Sequence, residues 1–240
     1  MAEIYKRVLL KVSGEALRGA DEYEIFSPEL LDELAEAVKA LRSAGTQVGI
    51  VVGAGNIWRG NRAAFLGMDG ADADDMGMLG TIINSLAIRA VLNKHGVKAH
   101  AFSSVPCPKF IDYYTKRDAI RSLEEGFVNI YGGGTSNPFF TTDSAAALRA
   151  LETGCDAILM AKSGVDGVFT ADPKKDPAAT LIKKATYRDL LARNIRVMDA
   201  TAEGLLMDSN ITTRVFRMIP KNFVEVANGS DIGTSIKKGW

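Results

Sequence analysis

Cysteine, histidine and tryptophan are scarce, two of each in 240 residues. Cys107 and Cys155 have no metal-ligand spacing and no companion histidine cluster, which argues against a zinc site or a disulfide framework and fits a reducing compartment. Neither His95 nor His100 lies in a glycine turn, so nothing marks either as a catalytic base. Net charge is absent too: 29 Lys plus Arg against 29 Asp plus Glu excludes broad electrostatic capture of nucleic acid, though not a local basic pocket. The first residues pass straight into a strand pattern without a signal-type apolar segment, and no run approaches the length of a membrane span. A soluble, cytoplasmic protein with small-molecule partners is expected. Two nucleotide signatures are missing as well. There is no GxxxxGK[ST] loop, and the stretch Gly53-Ala-Gly-Asn-Ile-Trp-Arg59 carries Trp58 where the dinucleotide fingerprint needs its third glycine.

Strands and helices alternate along the rest of the chain, with no repeat, coiled coil or low-complexity linker. Strand patterns fall at 5–12, 47–52, 97–102, 127–131, 156–160, 196–198, 212–216 and 234–237. Between them, Ser27 and Pro28 open a helix with Leu30, Leu31, Leu34, Val38 and Leu41 at three- and four-residue spacing. Met76 to Val91 marks a second helix, with Asp74 and Asp75 in its first turn where carboxylates favour the helix dipole. Further helices are expected at 116–125, from Thr142 to Gly154, at 186–191, after Asp199 and at 220–227. This alternation implies an α/β fold with a mainly parallel sheet covered on both faces. At 47% hydrophobic residues the chain can bury a full core, as one large domain or two closely joined lobes.

Three strands empty into glycines, and chemistry gathers there. After the first, Lys11 is followed by Ser13-Gly14-Glu15, a positive charge beside a turn whose N–H groups can face an anion; a surface lysine on an edge strand is the plainer reading. After the second, Gly53 to Gly55 allow close backbone approach, and Arg59 adds a planar fork suited to phosphate. After the fourth, Gly132-Gly-Gly134 open a loop rich in hydrogen-bonding groups: Thr135, Ser136, Asn137, Thr141, Thr142 and Asp143. Junctions at the carboxyl ends of strands are where open α/β sheets bind ligands.

Five ordered stretches carry a resemblance: Lys-Val-Ser-Gly-Glu-Ala-Leu, Gly-Ala-Gly-Asn-Ile-Trp-Arg-Gly, Asp-Met-Gly-Met-Leu, Gly-Thr-Ser-Asn-Pro-Phe-Phe-Thr-Thr-Asp-Ser and Val-Asp-Gly-Val-Phe-Thr-Ala-Asp-Pro. Together, over nearly the whole chain, they resemble the bacterial uridylate kinases of the amino acid kinase superfamily. The resemblance implies a three-layer α/β/α sandwich with a mainly parallel central sheet, here a single domain over 1–240 whose N-terminal part serves UMP and whose C-terminal part serves ATP. It implies Mg-ATP-dependent phosphorylation of UMP to UDP in pyrimidine nucleotide biosynthesis, with Mg2+ held mainly by nucleotide phosphates. It also implies a homohexamer, GTP as activator and UTP as inhibitor.

On that resemblance Lys11, Arg59 and Asp143 are catalytic. Lys11, Val12, Ser13, Gly14, Gly55, Arg59, Ser163, Phe169 and Asp172 fall where ATP is held. Ala54, Asp74 and the run Thr135, Ser136, Asn137, Pro138, Phe139, Phe140, Thr141 and Thr142 fall where UMP is held. Ala54 stands where many members have glycine, and Lys162-Ser163-Gly164 departs from the Ala-Thr-Lys of some members, so a second catalytic lysine is not fixed by the resemblance. Two rivals stand beside it: a superfamily kinase with an acyl-phosphate-type acceptor such as acetylglutamate or carbamate, and a nucleotide sensor that does not transfer phosphate.

Overall fold

The computed structural model describes residues 4–19, 24–60, 66–162, 164–173 and 175–240. Nine strands form one sheet: β1 (Arg7–Val12), β2 (Gln47–Val52), β3 (Ala99–Ser103), β4 (Asp112–Tyr113), β5 (Val128–Gly132), β6 (Ala157–Lys162), β7 (Lys184–Thr186), β8 (Thr212–Arg217) and β9 (Thr234–Lys237). Their order is β4-β3-β5-β2-β1-β6-β8-β9-β7. Every pairing is parallel except β8 with β9. The apolar runs Val8-Leu9-Leu10 and Ile50-Val51-Val52 are almost wholly buried, as strands covered on both faces require.

One face of the sheet carries α1 (Pro28–Ser43), α2 (Gly70–Lys94) and α7 (Pro220–Ala227), whose apolar stripes meet Val8, Leu10, Ile50 and Phe216 in one core. The other carries α3 (Lys116–Glu124), α4 (Thr142–Thr153), α5 (Tyr187–Ala192) and α6 (Ala200–Leu206), packed on Leu9, Val51, Ile158 and Met160. The three-layer α/β/α sandwich is therefore as expected. Local signals act as read: the Ser27 side chain accepts from Leu30 N–H ahead of Pro28, and α4 stops at Gly154 with φ of 68°.

Several boundaries differ. α2 begins at Gly70, capped by Asp69, so Asp74 and Asp75 stand in its second turn rather than its first. The run of small residues from Gly70 to Ala73 hid the start, because without large apolar side chains it lacks helical periodicity. Residues 196–198 form no strand, since the chain there connects α5 to α6 without a sheet neighbour. The short edge strands β4 and β7 were not anticipated, being too brief for a two-residue period to register. At 25 residues α2 is also long and apolar enough, by length and composition, to cross a membrane, contrary to the sequence reading. In the structure it lies along β5 and β3 with Asn84 and Ser85 fully buried, which makes it a helix of the core.

The topology selects the site. From β1 the chain moves outward through β2 to one edge, then returns to β6 on the other side of β1, so the strand order reverses between β1 and β6. A crevice opens beyond the carboxyl ends of strands at such a switch point. Lys11 lies opposite Met160 across this pair, and Lys162 follows two residues later, so both lysines project from the same sheet face at the mouth of the crevice.

Candidate active site

Lys11 lies in a central strand and is largely buried, which removes the edge-strand reading. Its Nζ is 2.7 Å from Asp143 Oδ1, the two side chains being 14% and 18% exposed. Asp143 is held there by the first turn of α4, whose cap is Thr141: the Thr141 hydroxyl accepts from Asp143 N–H at 3.0 Å. Thr142, Asp143 and Ser144 are the first residues of the helix.

The ends of β1 and β2 are pressed together. A β-carbon at Gly14 would meet Gly55 N at 2.5 Å and Gly53 O at 2.6 Å, so only glycine fits. Gly53 in turn lies close to Gly14 N and Thr142 Oγ1, so the turns after β1 and β2 and the start of α4 converge on one spot. Ala54 directs its β-carbon at Gly80 of α2, where a second β-carbon would come within 2.9 Å. A small residue on each side permits that approach. Val12 is buried beneath the Ser13–Gly14 turn, and the exposed Ser13 caps a 3-10 turn by accepting from Ala16 N–H.

Arg59 stands over this junction. Its Nη2 pairs with Glu15 Oε1 at 2.9 Å and its Nε donates to Gly55 O at 3.3 Å. Glu15 also lines the cavity that holds Lys11, so the carboxylate stands between the two cations. The third glycine turn is less open than its sequence suggested. Gly133 N–H donates to Thr81 Oγ1, and the Ser104 hydroxyl donates to the carbonyls of Gly133 and Gly134. A β-carbon at Gly132 would lie 2.8 Å from Ser85 Oγ, so these glycines let the end of β5 pack against α2.

Beyond them, residues 135–142 form a ledge. Thr135, Asn137 and their backbone interlock, while Ser136 and Phe139 take φ of 63° and 68°. A bulky residue rarely adopts such a φ, and Phe139 is held by donating its N–H to Asp74 Oδ2 at 2.7 Å. Asp74 is thus brought to the ledge, with Pro138 half-buried and Phe139 and Phe140 presenting exposed rings.

A cavity of about 430 Å³ is lined by Lys11, Ser13, Glu15 and Lys162. A neighbouring one of about 400 Å³ is lined by Lys162, Phe169, Asp172, Arg193 and Asn194. Lys162 lines both, so the two, together termed the cleft, lie side by side about this lysine, one at the β1 turn and the other at Phe169 and Asp172. Ser163 lies outside the described residues.

Lys162 is the main residue that sequence reasoning did not assign. Burial lowers its pKa from the ordinary lysine value, the Lys11 charge lowers it further, and the Asp143 carboxylate opposes both. The signal was available: like Lys11, it is a lysine ending an apolar strand. Two others were less legible. Asn84, fully buried on α2, donates to Gly53 O and to Asn56 Oδ1 at 2.7 and 2.8 Å, and Asn56 donates back to Asn84 Oδ1. This pair fixes the second glycine turn, and no sequence pattern announces an asparagine on a helix as its partner. Asp199, noted only as a cap, also accepts from the hydroxyls of Thr141 and Ser144 and so ties α6 to the start of α4. Burial raises its pKa, but hydrogen bonds from Thr141, Ala202, Ser144 and Thr201 outweigh that and leave it lowered.

Two lysines and an arginine around apposed glycine turns can neutralise and align phosphate groups, and a carboxylate against Lys11 keeps its ammonium in position. Such a site, at the switch point of a parallel sheet and without a P-loop, defines an α/β protein that handles phosphorylated ligands. The chain belongs to the amino acid kinase family, whose profile matches residues 6–217. It is 44% identical over 234 residues to the uridylate kinase of Limosilactobacillus reuteri, covering 97% of each chain. Its structure is similar to that of UMP kinase from Bacillus anthracis, with a TM-score of 0.96, 39% identity and 99% and 98% of the two chains covered. It also resembles UMP kinase from Ureaplasma parvum, with a TM-score of 0.91, 37% identity and 97% and 99% covered.

Proposed function

We propose that this chain is a UMP kinase that transfers the γ-phosphoryl group of ATP to UMP, giving UDP and ADP for pyrimidine nucleotide synthesis. The observation that carries the reading is the contact of Gly14, Gly53 and Thr142, because it joins the Lys11–Lys162 cleft to the Asp74 ledge. In this account ATP lies along the cleft, with its phosphates at Lys11, Val12, Ser13, Gly14 and Gly55 and its nucleoside toward Phe169 and Asp172. UMP lies on the ledge, its ribose at Asp74, its uracil against residues 135–140 and its phosphate at Ala54, Arg59, Thr141 and Thr142. The N-terminal part of the domain then serves mainly UMP and the C-terminal part mainly ATP.

The chemistry asks little covalent work of the protein. A UMP phosphate oxygen is already ionised at neutral pH and attacks the γ-phosphorus as the ADP oxygen departs, so no general base is needed. Lys11 and Lys162 neutralise charge on the transferring group, and Arg59 exchanges Glu15 for the acceptor phosphate. Asp143 orients Lys11. Among the described residues no group of three or more His, Cys, Asp or Glu is arranged to hold a metal. On the family resemblance Mg2+ would be carried mainly by nucleotide phosphates, with Asp143 as the nearby carboxylate. Bound there, Mg2+ would offset the charge of the phosphates.

The exposed apolar residues Met76, Leu79 and Ile83 on α2 support a homo-oligomer, a hexamer on the family resemblance. GTP activation and UTP inhibition rest on that resemblance alone, and a cytoplasmic setting on the sequence features given at the outset. The acceptor is tested by incubating the protein with Mg-ATP and, separately, UMP, CMP, acetylglutamate or carbamate, then separating products by ion exchange. UDP and ADP in equal amounts from UMP are expected; turnover on an acid instead, or ATP binding without transfer, would favour one of the rivals.

A further inference from the structure

We propose a second anion site, remote from the kinase cleft, at the β8–β9–β7 edge of the sheet, built to take the phosphates of a diphosphate-bearing ligand. The sheet register makes the site. Arg214 lies opposite Ser235, and Ser235 opposite Lys184, while Lys237 follows two residues along β9. All four side chains therefore leave the sheet on one face. They open on a cavity of about 300 Å³ closed by the 228–233 loop and by Trp240. It shares no lining residue with the two cavities of the cleft.

Charge and unused hydrogen-bonding capacity point to an anion. Lys183, Lys184, Arg214 and Lys237 line the cavity together with the side-chain carboxylate of Asp231, in a chain whose net charge is zero; Lys183 Nζ also donates to Asp231 O at 3.1 Å. Arg214 is 4% exposed. Its Nη2 donates to the carbonyls of Ser230 and Ile232, which fixes the guanidinium, yet its Nε is buried without a hydrogen-bond partner. The Ser230 hydroxyl beside it is likewise buried and unpartnered. A purely structural clip for the loop would account for Nη2 and leave both orphans unexplained, since a buried donor without a partner is destabilising. A phosphate in the cavity would be neutralised by the flanking ammonium groups, and a small shift of the 228–233 loop would open both enclosed donors to its oxygens.

Lys184 and Lys237 supply the reporter. Their Nζ atoms lie 4.5 and 5.0 Å from the centre of the Trp240 ring. An anion in the cavity draws them off the ring and changes indole emission. The chain has two tryptophans, so Trp58→Phe isolates the signal of Trp240.

The test titrates Trp58→Phe protein with inorganic pyrophosphate and, separately, with UDP, at constant ionic strength set with chloride. A saturable change in Trp240 emission with either probe is expected. The tighter of the two identifies the ligand as a free inorganic diphosphate or the diphosphate end of a nucleotide. Lys184→Gln, a solvent-exposed change, should weaken the midpoint about three- to tenfold, and Arg214→Gln more than tenfold, while Lys11→Ala leaves it unaltered. Should Arg214→Gln fail to fold, Lys184→Gln and Lys237→Gln carry the test. UDP formation by Lys184→Gln stays within twofold of the parent, which separates failure here from failure of the kinase reading. A response that tracks Lys11→Ala, or none beyond the chloride control with both probes, would overturn the proposal.

Discussion

Replacing Asp143 with asparagine removes a charge and almost nothing else. The side chain keeps its shape, and the backbone N–H still donates to Thr141 Oγ1, so the cap of α4 survives. Lys11 Nζ and Asp143 Oδ1 are 2.7 Å apart, which at an effective dielectric constant of about 20 is roughly 6 kcal/mol of gross attraction. The amide oxygen of asparagine retains a hydrogen bond, and desolvation had already offset part of the attraction. The net loss is then about 3–4 kcal/mol, felt where charge develops on the transferring group, or a fall of about 10²–10³ in kcat. The UMP ledge is not altered, so KM for UMP should stay within about threefold. A second consequence concerns Lys162, whose ammonium Asp143 supports against burial and the Lys11 charge. With the carboxylate gone its pKa falls further, and the basic limb of the kcat–pH profile moves to lower pH. Initial rates of UDP formation, measured across pH for parent and Asp143→Asn, test both statements. A variant that turns over within threefold of the parent, with an unmoved basic limb, would refute the role given to Asp143.

Gly14→Ala drives a β-carbon to 2.5 Å from Gly55 N, so the two phosphate turns must separate; a stability loss of about 1–3 kcal/mol in urea unfolding and severe loss of activity are expected. Asn84→Ala strips the donors from Gly53 O and Asn56 Oδ1, both enclosed, and should cost about 1–3 kcal/mol in the same assay with a raised KM for both nucleotides. His95 bridges α1 and α2, its ring nitrogens 2.7 Å from Asp32 and 2.8 Å from Glu36. Hydrogen bonding to Asp32 and then Glu36 raises its pKa above the usual 6.5, so the contribution is complete below pH 6.5 and is lost as pH rises through the folded value. Hydrogen bonding to His95 lowers the pKa values of Asp32 and Glu36, so their contribution is present above the usual 3.8 and 4.5 and is lost as pH falls through the folded values. Melting temperature scanned from pH 5 to 9 should fall on the basic side in the parent, and less so in His95→Gln.

The layers of the fold were legible because their signals are local. Ser27-Pro28, the leucine spacing of α1, the closing glycine of α4 and the short apolar runs each act within a few residues, and the alternation of elements follows from them. What failed locally was the start of α2, where small residues leave no period to detect, and the edge strands, β4 being too brief to show a period and β7 owing its existence to β9 far along the chain. The site divides in the same way. Lys11, the glycine turns and Asp143 stand out at strand and helix ends, but their mutual contact depends on register and on the reversal between β1 and β6. Lys162 carried the same signal as Lys11. Its weight became apparent only when the sheet set it beside Lys11 and Asp143. Asn84 could not be read at all, because a buried amide is explained only by the turn it serves.

The central claim is that donor and acceptor phosphates meet between the turns of β1 and β2, flanked by Lys11, Lys162 and Arg59. A crystal structure with a bisubstrate analogue, adenosine and uridine joined by a pentaphosphate, tests it most directly. The account predicts phosphate oxygens about 3 Å from Lys11 and Lys162 Nζ, Arg59 released from Glu15, and uridine beside Asp74 and residues 135–140. A uridine bound away from Asp74, or a phosphate chain that bypasses Lys11, would contradict it.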